Sequence, residues 1–220
     1  MTVSRTVFLS LLTAACLVVL HADGEQKLTD TGNILQFKWA FFLHDQDGRT
    51  KVIDFKDKVV VRKGDGLRIY LEPVTSVYLY LYMFDAQKQL RCIFPSTPDF
   101  YAKKPRTGVS HILPSSEKWF IMDEQPGTER FFLIASSTRL TDIENLTKKM
   151  LSSPDDAEVK AKLLDEIKTV RRSKGDLNTP VEKGVPIAGT IVAVTRGPAN
   201  EATLTEAAGF FSKTLRIEHE

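Results

Sequence analysis

The chain has 220 residues, with 30 Lys and Arg against 28 Asp and Glu, for a formal net charge of +2. The charges are interspersed rather than blocked, which describes an ordinary solvated surface and gives no electrostatic case for a nucleic-acid partner. The length allows one sizeable core or two small ones, and two cysteines are too few for a disulfide framework.

The first 24 residues read as an address. Arg5 supplies a basic start, Val7 to Leu20 is an apolar run broken by Ser10 and Thr13, and Ala22-Asp23-Gly24 offers the small residues that signal peptidase reads. Cleavage is expected after Gly24, with Ala22 as the alternative. The apolar run is short for a membrane span of about 20 residues, and no other stretch approaches that length. The mature chain is therefore expected to be periplasmic or secreted, with no transmembrane helix. Leu12-Thr13-Ala14-Ala15-Cys16 resembles a bacterial lipobox, so lipidation of Cys16 and a lipid-anchored form are the alternative. Thr13 stands where a larger apolar residue belongs, and the apolar run continues through Leu17 to Leu20; both weigh against it. Loss of residues 1–24 removes Arg5 and Asp23, so the net charge stays at +2. Cys92 is then the remaining cysteine, and no internal disulfide can form. Its alternation with Leu90 and Phe94 turns it inward, as an inert thiol rather than a nucleophile.

Glu25 to Asn33 is polar and predicts a flexible leader. Leu35, Phe37, Trp39, Phe41 and Leu43 then share one face of a strand, and Ile34, Ala40 and Phe42 partly fill the other. Asp45-Gln46-Asp47-Gly48 has the spacing of a calcium loop but lacks the further oxygen ligands and closing glutamate, which makes it a hairpin turn. Extended runs follow at Val52 to Phe55, Val59 to Val61 and Leu67 to Leu71, the last two separated by Gly64-Asp65-Gly66. The glycines precede a strand instead of a helix, so they make a turn and not a phosphate loop.

Ser76 to Pro95 is the organising stretch. Tyr78, Tyr80, Tyr82 and Phe84 alternate with Val77, Leu79, Leu81 and Met83, so the strand is apolar on both faces and needs cover on both. Asp85 to Gln89 is a hairpin-length break before Leu90, Cys92 and Phe94. Ser96 to Gly108 is a long loop in which Phe100 and Tyr101 lie beside Lys103, Lys104 and Arg106. Basic side chains beside aromatic ones can hold an anionic partner, and a plain crossover anchored by the aromatics is the competing reading. Further strands are expected at Val109 to Leu113, Lys118 to Met122 and Phe131 to Ala135.

The period then changes to that of helices. Thr141 and Glu144 suggest a capping box, Ser153 and Pro154 a second helix start, and Gly175 its stop. Val159, Leu163, Ile167 and Val170 make one apolar stripe, so the pair predicts a helical hairpin lying on the β structure. Asp176 to Gly184 is a polar link before strands at Ile187 to Val194 and Phe210 to Ile217.

Gly64-Asp65-Gly66-Leu67-Arg68-Ile69, Tyr78-Leu79-Tyr80-Leu81, Phe84-Asp85, Ile93-Phe94-Pro95, Leu113-Pro114, and Gly127-Thr128-Glu129 ahead of Ile134-Ala135-Ser136 together resemble domain-of-unknown-function family 4384, over about residues 50–140. Lys88 departs from the pattern where the family's turn has glycine. The resemblance implies a mainly β domain of the bacterial envelope with no assigned catalytic residues.

No HExxH, GxSxG or CxxC motif occurs, and His44, His111 and His219 pair with nothing at ligand spacing, so neither a metal site nor a cofactor is expected. Cys92 with His111 is the one thiol and imidazole pair to inspect for an enzyme. The fold expected is mainly β: an antiparallel, immunoglobulin-like β-sandwich over residues 34–220 with a helical hairpin inserted at 141–174. The function expected is a non-enzymatic binding module that engages a protein or a cell-envelope component through Phe100, Tyr101, Lys103, Lys104 and Arg106.

Overall fold

The computed structural model describes residues 34–97, 99–175, 179–187 and 201–220. The expected signal peptide, Cys16, the leader 25–33 and the part of the expected strand beyond Ile187 lie outside the described residues.

The architecture is mainly β, two sheets with two helices. β1 (Ile34–His44) buries Leu35, Phe37, Trp39, Phe41 and Leu43 in the main core. Its other face places Ala40 and Phe42 with Tyr70, Ile187 and Ala202 in a second, smaller cluster. The turn after it closes on itself: Asp45 accepts the backbone N–H of Arg49 at 2.9 Å, Asp47 pairs with the Arg49 side chain, and Gly48 takes φ +79°. The Asp-x-Asp-Gly carboxylates thus serve the hairpin, and β2 (Thr50–Val52) returns antiparallel to β1. Ile53 and Phe55 lie beyond that strand. The Ile53 N–H still reaches the Phe41 carbonyl at 2.8 Å, after which the chain crosses to the other sheet.

β4 (Gly66–Pro73) pairs with β1 along one edge, and with β7 (His111–Leu113) and β8 (Phe120–Ile121) along the other. On the far side of β1 stand β11 (Glu201–Ala208) and then β10 (Val181–Pro186), giving the order β10-β11-β1-β4-β7. Trp39 donates its indole N–H to the Thr205 hydroxyl at 2.9 Å, which fastens β1 to β11 within the core.

The second sheet has the order β3-β12-β9-β5-β6, from β3 (Val60–Val61), β12 (Phe210–His219), β9 (Gly127–Ser136), β5 (Tyr78–Phe84) and β6 (Leu90–Phe94). β3 runs parallel to β12, so this sheet is mixed where alternation predicts antiparallel pairing throughout. The chain enters β3 from the first sheet already pointing along the end of the last strand. The sheets meet face to face through edge-on ring pairs, Phe41 with Phe131 at 5.2 Å and Phe37 with Phe211 at 5.3 Å.

β5 is an interior strand, and Leu79, Tyr80, Leu81 and Tyr82 are all fully buried. Leu79 and Leu81 lie on the same face as Ala135 and Leu133 of β9, toward the other sheet. The opposite face is covered by α1 (Thr141–Ser152), where Tyr82 and Thr147 share a hydrogen bond of 2.8 Å. α2 (Ala157–Gly175) buries Leu163 and Ile167 beside it. The double-sided apolar pattern is thus answered by a sheet on one side and the helical hairpin on the other.

The helix starts differ from expectation. Leu140 occupies the N-cap of α1 without a side-chain bond, because the Glu144 carboxylate is engaged by Tyr80 and Arg139 instead of completing a capping box. α2 begins at Ala157, not at Pro154: the Asp156 carboxylate accepts the Val159 N–H at 3.0 Å, the N-cap to N3 bond of a helix start. Residues Val181 to Gly184, expected within the polar link Asp176 to Gly184, belong instead to the exposed edge strand β10, Val181–Pro186, paired with β11.

Candidate functional site

The loop Ser96 to Gly108 connects β6 of one sheet to β7 of the other, and its two aromatic residues face inward. Beyond the point where β6 stops pairing, the outer backbone groups of Leu79 have no strand partner. The Tyr101 hydroxyl replaces it, accepting the Leu79 N–H at 2.8 Å and donating to the Leu79 carbonyl. A buried backbone pair left open costs about as much as the hydrogen bonds it lacks, so this single side chain ties the loop to the strand. Tyr101 is 4% exposed, and its ring contacts Tyr78 at 5.2 Å and Tyr80 at 5.4 Å. Phe100 is half-buried against Phe94 at 4.9 Å, Tyr101 at 5.0 Å and His111 at 5.6 Å. Both ends of the loop are also fastened: Lys148 of α1 pairs with Asp99 at 3.3 Å, and the Gly108 N–H reaches the Pro73 carbonyl at 2.7 Å.

Lys103, Lys104 and Arg106 are exposed, and among the described residues none of them lies within ion-pairing distance of a carboxylate. They rim a cavity of about 300 Å³ floored by Val77, Phe94, Phe100 and Tyr101, with His111 and Val109 in its wall. Burial lowers the pKa of His111, favouring the neutral ring. The structure therefore brings together the five residues expected from sequence and divides their labour. The aromatic pair builds the floor, and the three cations stand free at the mouth. A rigid apolar floor with convergent charge at the rim suits a group that is anionic at one end and flat or apolar at the other.

The other residues with possible chemistry are separated. The Cys92 thiol donates to the Pro95 carbonyl at 3.4 Å, while the His111 ring lies on Phe94 and Phe100. Burial pushes the thiol up to about 12, and among the described residues no hydrogen bond joins it to His111. His44 bonds Thr50 at 2.9 Å and stacks on Trp119. The basic residues of the helical hairpin are engaged within the chain: Lys160 reaches Gln89 at 3.0 Å, Lys168 pairs with Asp165, and Arg171 turns in over the Phe132 ring. No helix among the described residues is long and apolar enough to cross a membrane.

Glu129 is the position that sequence reasoning undervalued. It shares the inward parity of Phe131, Leu133 and Ala135 on β9, and burial raises the pKa of its carboxyl. Its Oε2 atom is buried and has no hydrogen-bond partner among the described residues. The signal was present in the alternation, as a carboxylate at an inward position.

No curated protein matches the chain, and no solved structure matches it. A family does match over residues 60–139, the span from β3 through the end of β9. β1 and β12, which lie beside matched strands in each sheet, come from outside it. Residues 60–139, with the loop and its cavity among them, are a domain of the family described as Domain of unknown function (DUF4384).

Proposed function

We propose that this chain is an exported bacterial envelope protein that acts as a non-enzymatic binding module, docking an anionic group of a protein or cell-envelope component on the loop Ser96 to Gly108. One observation carries the reading: Lys103, Lys104 and Arg106 are exposed, and unpaired among the described residues, at the mouth of a cavity whose aromatic floor is held by packing. Preformed sites lose little conformational freedom on binding, which favours recognition by such a surface. An immunoglobulin-like description of the sandwich belongs to the same proposal; the face-to-face packing of two sheets with a functional loop bridging them supports it.

Export rests on the basic, apolar and small-residue order of residues 1–24. N-terminal sequencing of the mature chain should begin at Glu25, and a lipid-modified Cys16 as the first residue would replace the soluble form with the anchored one. The binding reading is tested by pull-down from native envelope with the purified chain as bait over a salt series. Partners held by the loop should elute as salt rises past about 0.15 M, where screening shortens to roughly 8 Å. Partners retained unchanged at about 1 M salt would contradict an electrostatic dock.

A further inference from the structure

The cavity under the loop is walled by both sheets: Phe94 ends β6 in one, His111 begins β7 in the other, and both line it. We infer that it receives the C-terminus of a polypeptide, with an aromatic or branched aliphatic last side chain on the floor and the terminal carboxylate on Lys103, Lys104 and Arg106. This rests on the loop being the docking site proposed above, and it narrows the anionic group to one kind.

Size sets the first limit. A cavity of about 150 Å³ holds one benzene, so the 300 Å³ under the loop holds one ring or branched side chain together with the backbone atoms that carry it. It lies at the small end of ligand pockets, too small for an acyl tail or a run of sugars to enter. The floor is apolar and the rim cationic, and none of the described lining residues is acidic. Val109, 39% exposed, adds an apolar side chain to the wall. The ligand must therefore carry an apolar group and an anion within one residue's length. An internal Asp or Glu has its carboxylate at the tip of the side chain and brings nothing for the floor. A C-terminal residue brings both.

His111 supplies the independent sign. It stands opposite Leu71 in the β4–β7 pairing, so its side chain leaves the sheet on the face that carries Leu71 into the main core. Apolar residues occupy such positions elsewhere in the sheet. Here the imidazole rests on Phe94 at 4.8 Å and Phe100 at 5.6 Å, and among the described residues it makes no hydrogen bond or ion pair. The Tyr101 hydroxyl, by contrast, is spent on the Leu79 backbone. A half-buried polar ring that lines an open cavity without a partner is unusual in a packed interior, and its free nitrogens are available to a ligand. Burial favours the neutral ring, which has one acceptor nitrogen and one donor. The backbone N–H of a C-terminal residue matches the acceptor, its carboxylate takes the fork of Arg106 or the ammonium of either lysine, and its side chain covers the floor.

The test is an NMR titration of the full chain with the peptide acetyl-Gly-Ser-Gly-Ser-Phe as the free acid, with the same peptide as the C-terminal amide, and with a free acid ending in Gly. Saturable shifts at Val77, Val109 and His111 are expected with the Phe acid. The amide should bind about tenfold more weakly or worse, having lost the charge, and the Gly acid several-fold more weakly, having lost the side chain. His111→Phe keeps a ring against Phe94 and Phe100 but removes the nitrogens, and should weaken the Phe acid several-fold; a urea melt checks that it folds, and the peptide series on wild type decides the matter without it. Equal affinity of acid and amide, a Gly acid as tight as the Phe acid, or no saturable binding of the Phe acid would overturn the assignment. Binding of phosphatidylglycerol vesicles in place of every peptide would also overturn it, giving the site to a lipid headgroup. If envelope partners still depend on Lys103, Lys104 and Arg106 while the Phe acid does not bind, this inference falls and the loop proposal stands. If those partners are indifferent to the three cations, the loop proposal falls as well.

Discussion

The Tyr80 hydroxyl donates to Glu144 Oε1 across 2.7 Å while accepting the backbone N–H of Leu140 at 3.1 Å, so one strand residue holds the first turn of α1 in place. Arg139 pairs with the other oxygen of the same carboxylate. The helical hairpin is therefore keyed to β5 by a charged hydrogen bond on the face that would otherwise be an open row of tyrosines.

Tyr80→Phe should lower stability by about 1–3 kcal/mol, since it strands a buried N–H and removes a bond to a charged acceptor. Tyr80→Ala should cost about 3–5 kcal/mol and Leu81→Ala about 2–5 kcal/mol, one facing the helices and the other the opposite sheet. Urea melts check all three. A small effect for either alanine variant would mean that its face of β5 is not covered.

Lys88 takes φ +62° in the turn Asp85 to Gln89, where its N–H bonds the Asp85 carbonyl at 3.0 Å. A side chain in the left-handed region costs roughly 1–2 kcal/mol, partly offset against glycine by a less flexible unfolded chain. Lys88→Gly should be neutral or stabilising by up to about 1 kcal/mol, and Lys88→Val destabilising by about 1–2 kcal/mol. A neutral Val variant in the same urea assay would show that the turn relaxes away from this conformation.

The Cys92 thiol, raised to about 12 by burial, stays protonated in the folded state well above the range where an unfolded thiol ionises, near 9. Its contribution to stability is fully present below that value and declines as pH climbs from there toward 12. Cys92→Ser should flatten that alkaline decline. Native protein at pH 8 should react with a thiol reagent more slowly than urea-unfolded protein, and equal rates would contradict the partly buried, hydrogen-bonded placement.

Much of the sheet framework was legible because its strands carry strong alternation. β1, β4, β5 and β9 follow their apolar patterns, and the need for cover on both faces of β5 is met by the helices that interrupt the strands. β10 escaped notice because Val181 to Pro186 is an edge strand with no face buried in the main core, so it shows no alternation. β11 buries Ala202, Thr205 and Ala207, whose small side chains give little apolar contrast. The capping box at Thr141 failed because a tertiary partner, Tyr80, competes for the same carboxylate. At the loop, the cations were legible as exposed, but the anchoring of Tyr101 depends on the open Leu79 backbone, which only the strand pairing reveals. Glu129 and His219 lie far apart in the chain, and the β9–β12 register, which sets Glu129 opposite Ile217 and His219 opposite Gly127, puts them on one face of the sheet.

Phe100→Ala should lower stability by about 3–5 kcal/mol at most, tempered by its partial exposure, because its ring is wedged among Phe94, Tyr101 and His111. An unchanged melting temperature would mean that the ring faces a partner instead of anchoring the loop.

The most direct measurement compares wild type with the combined Lys103→Ser, Lys104→Ser and Arg106→Ser variant in low-salt recovery of envelope partners, alongside a urea melt of each. The three side chains are exposed and unpaired among the described residues, so stability should stay within about 0.5 kcal/mol of wild type. Recovery of the salt-sensitive partners should be lost. Recovery of the same partners, with the same salt dependence, by a variant of wild-type stability would contradict the loop as a docking site.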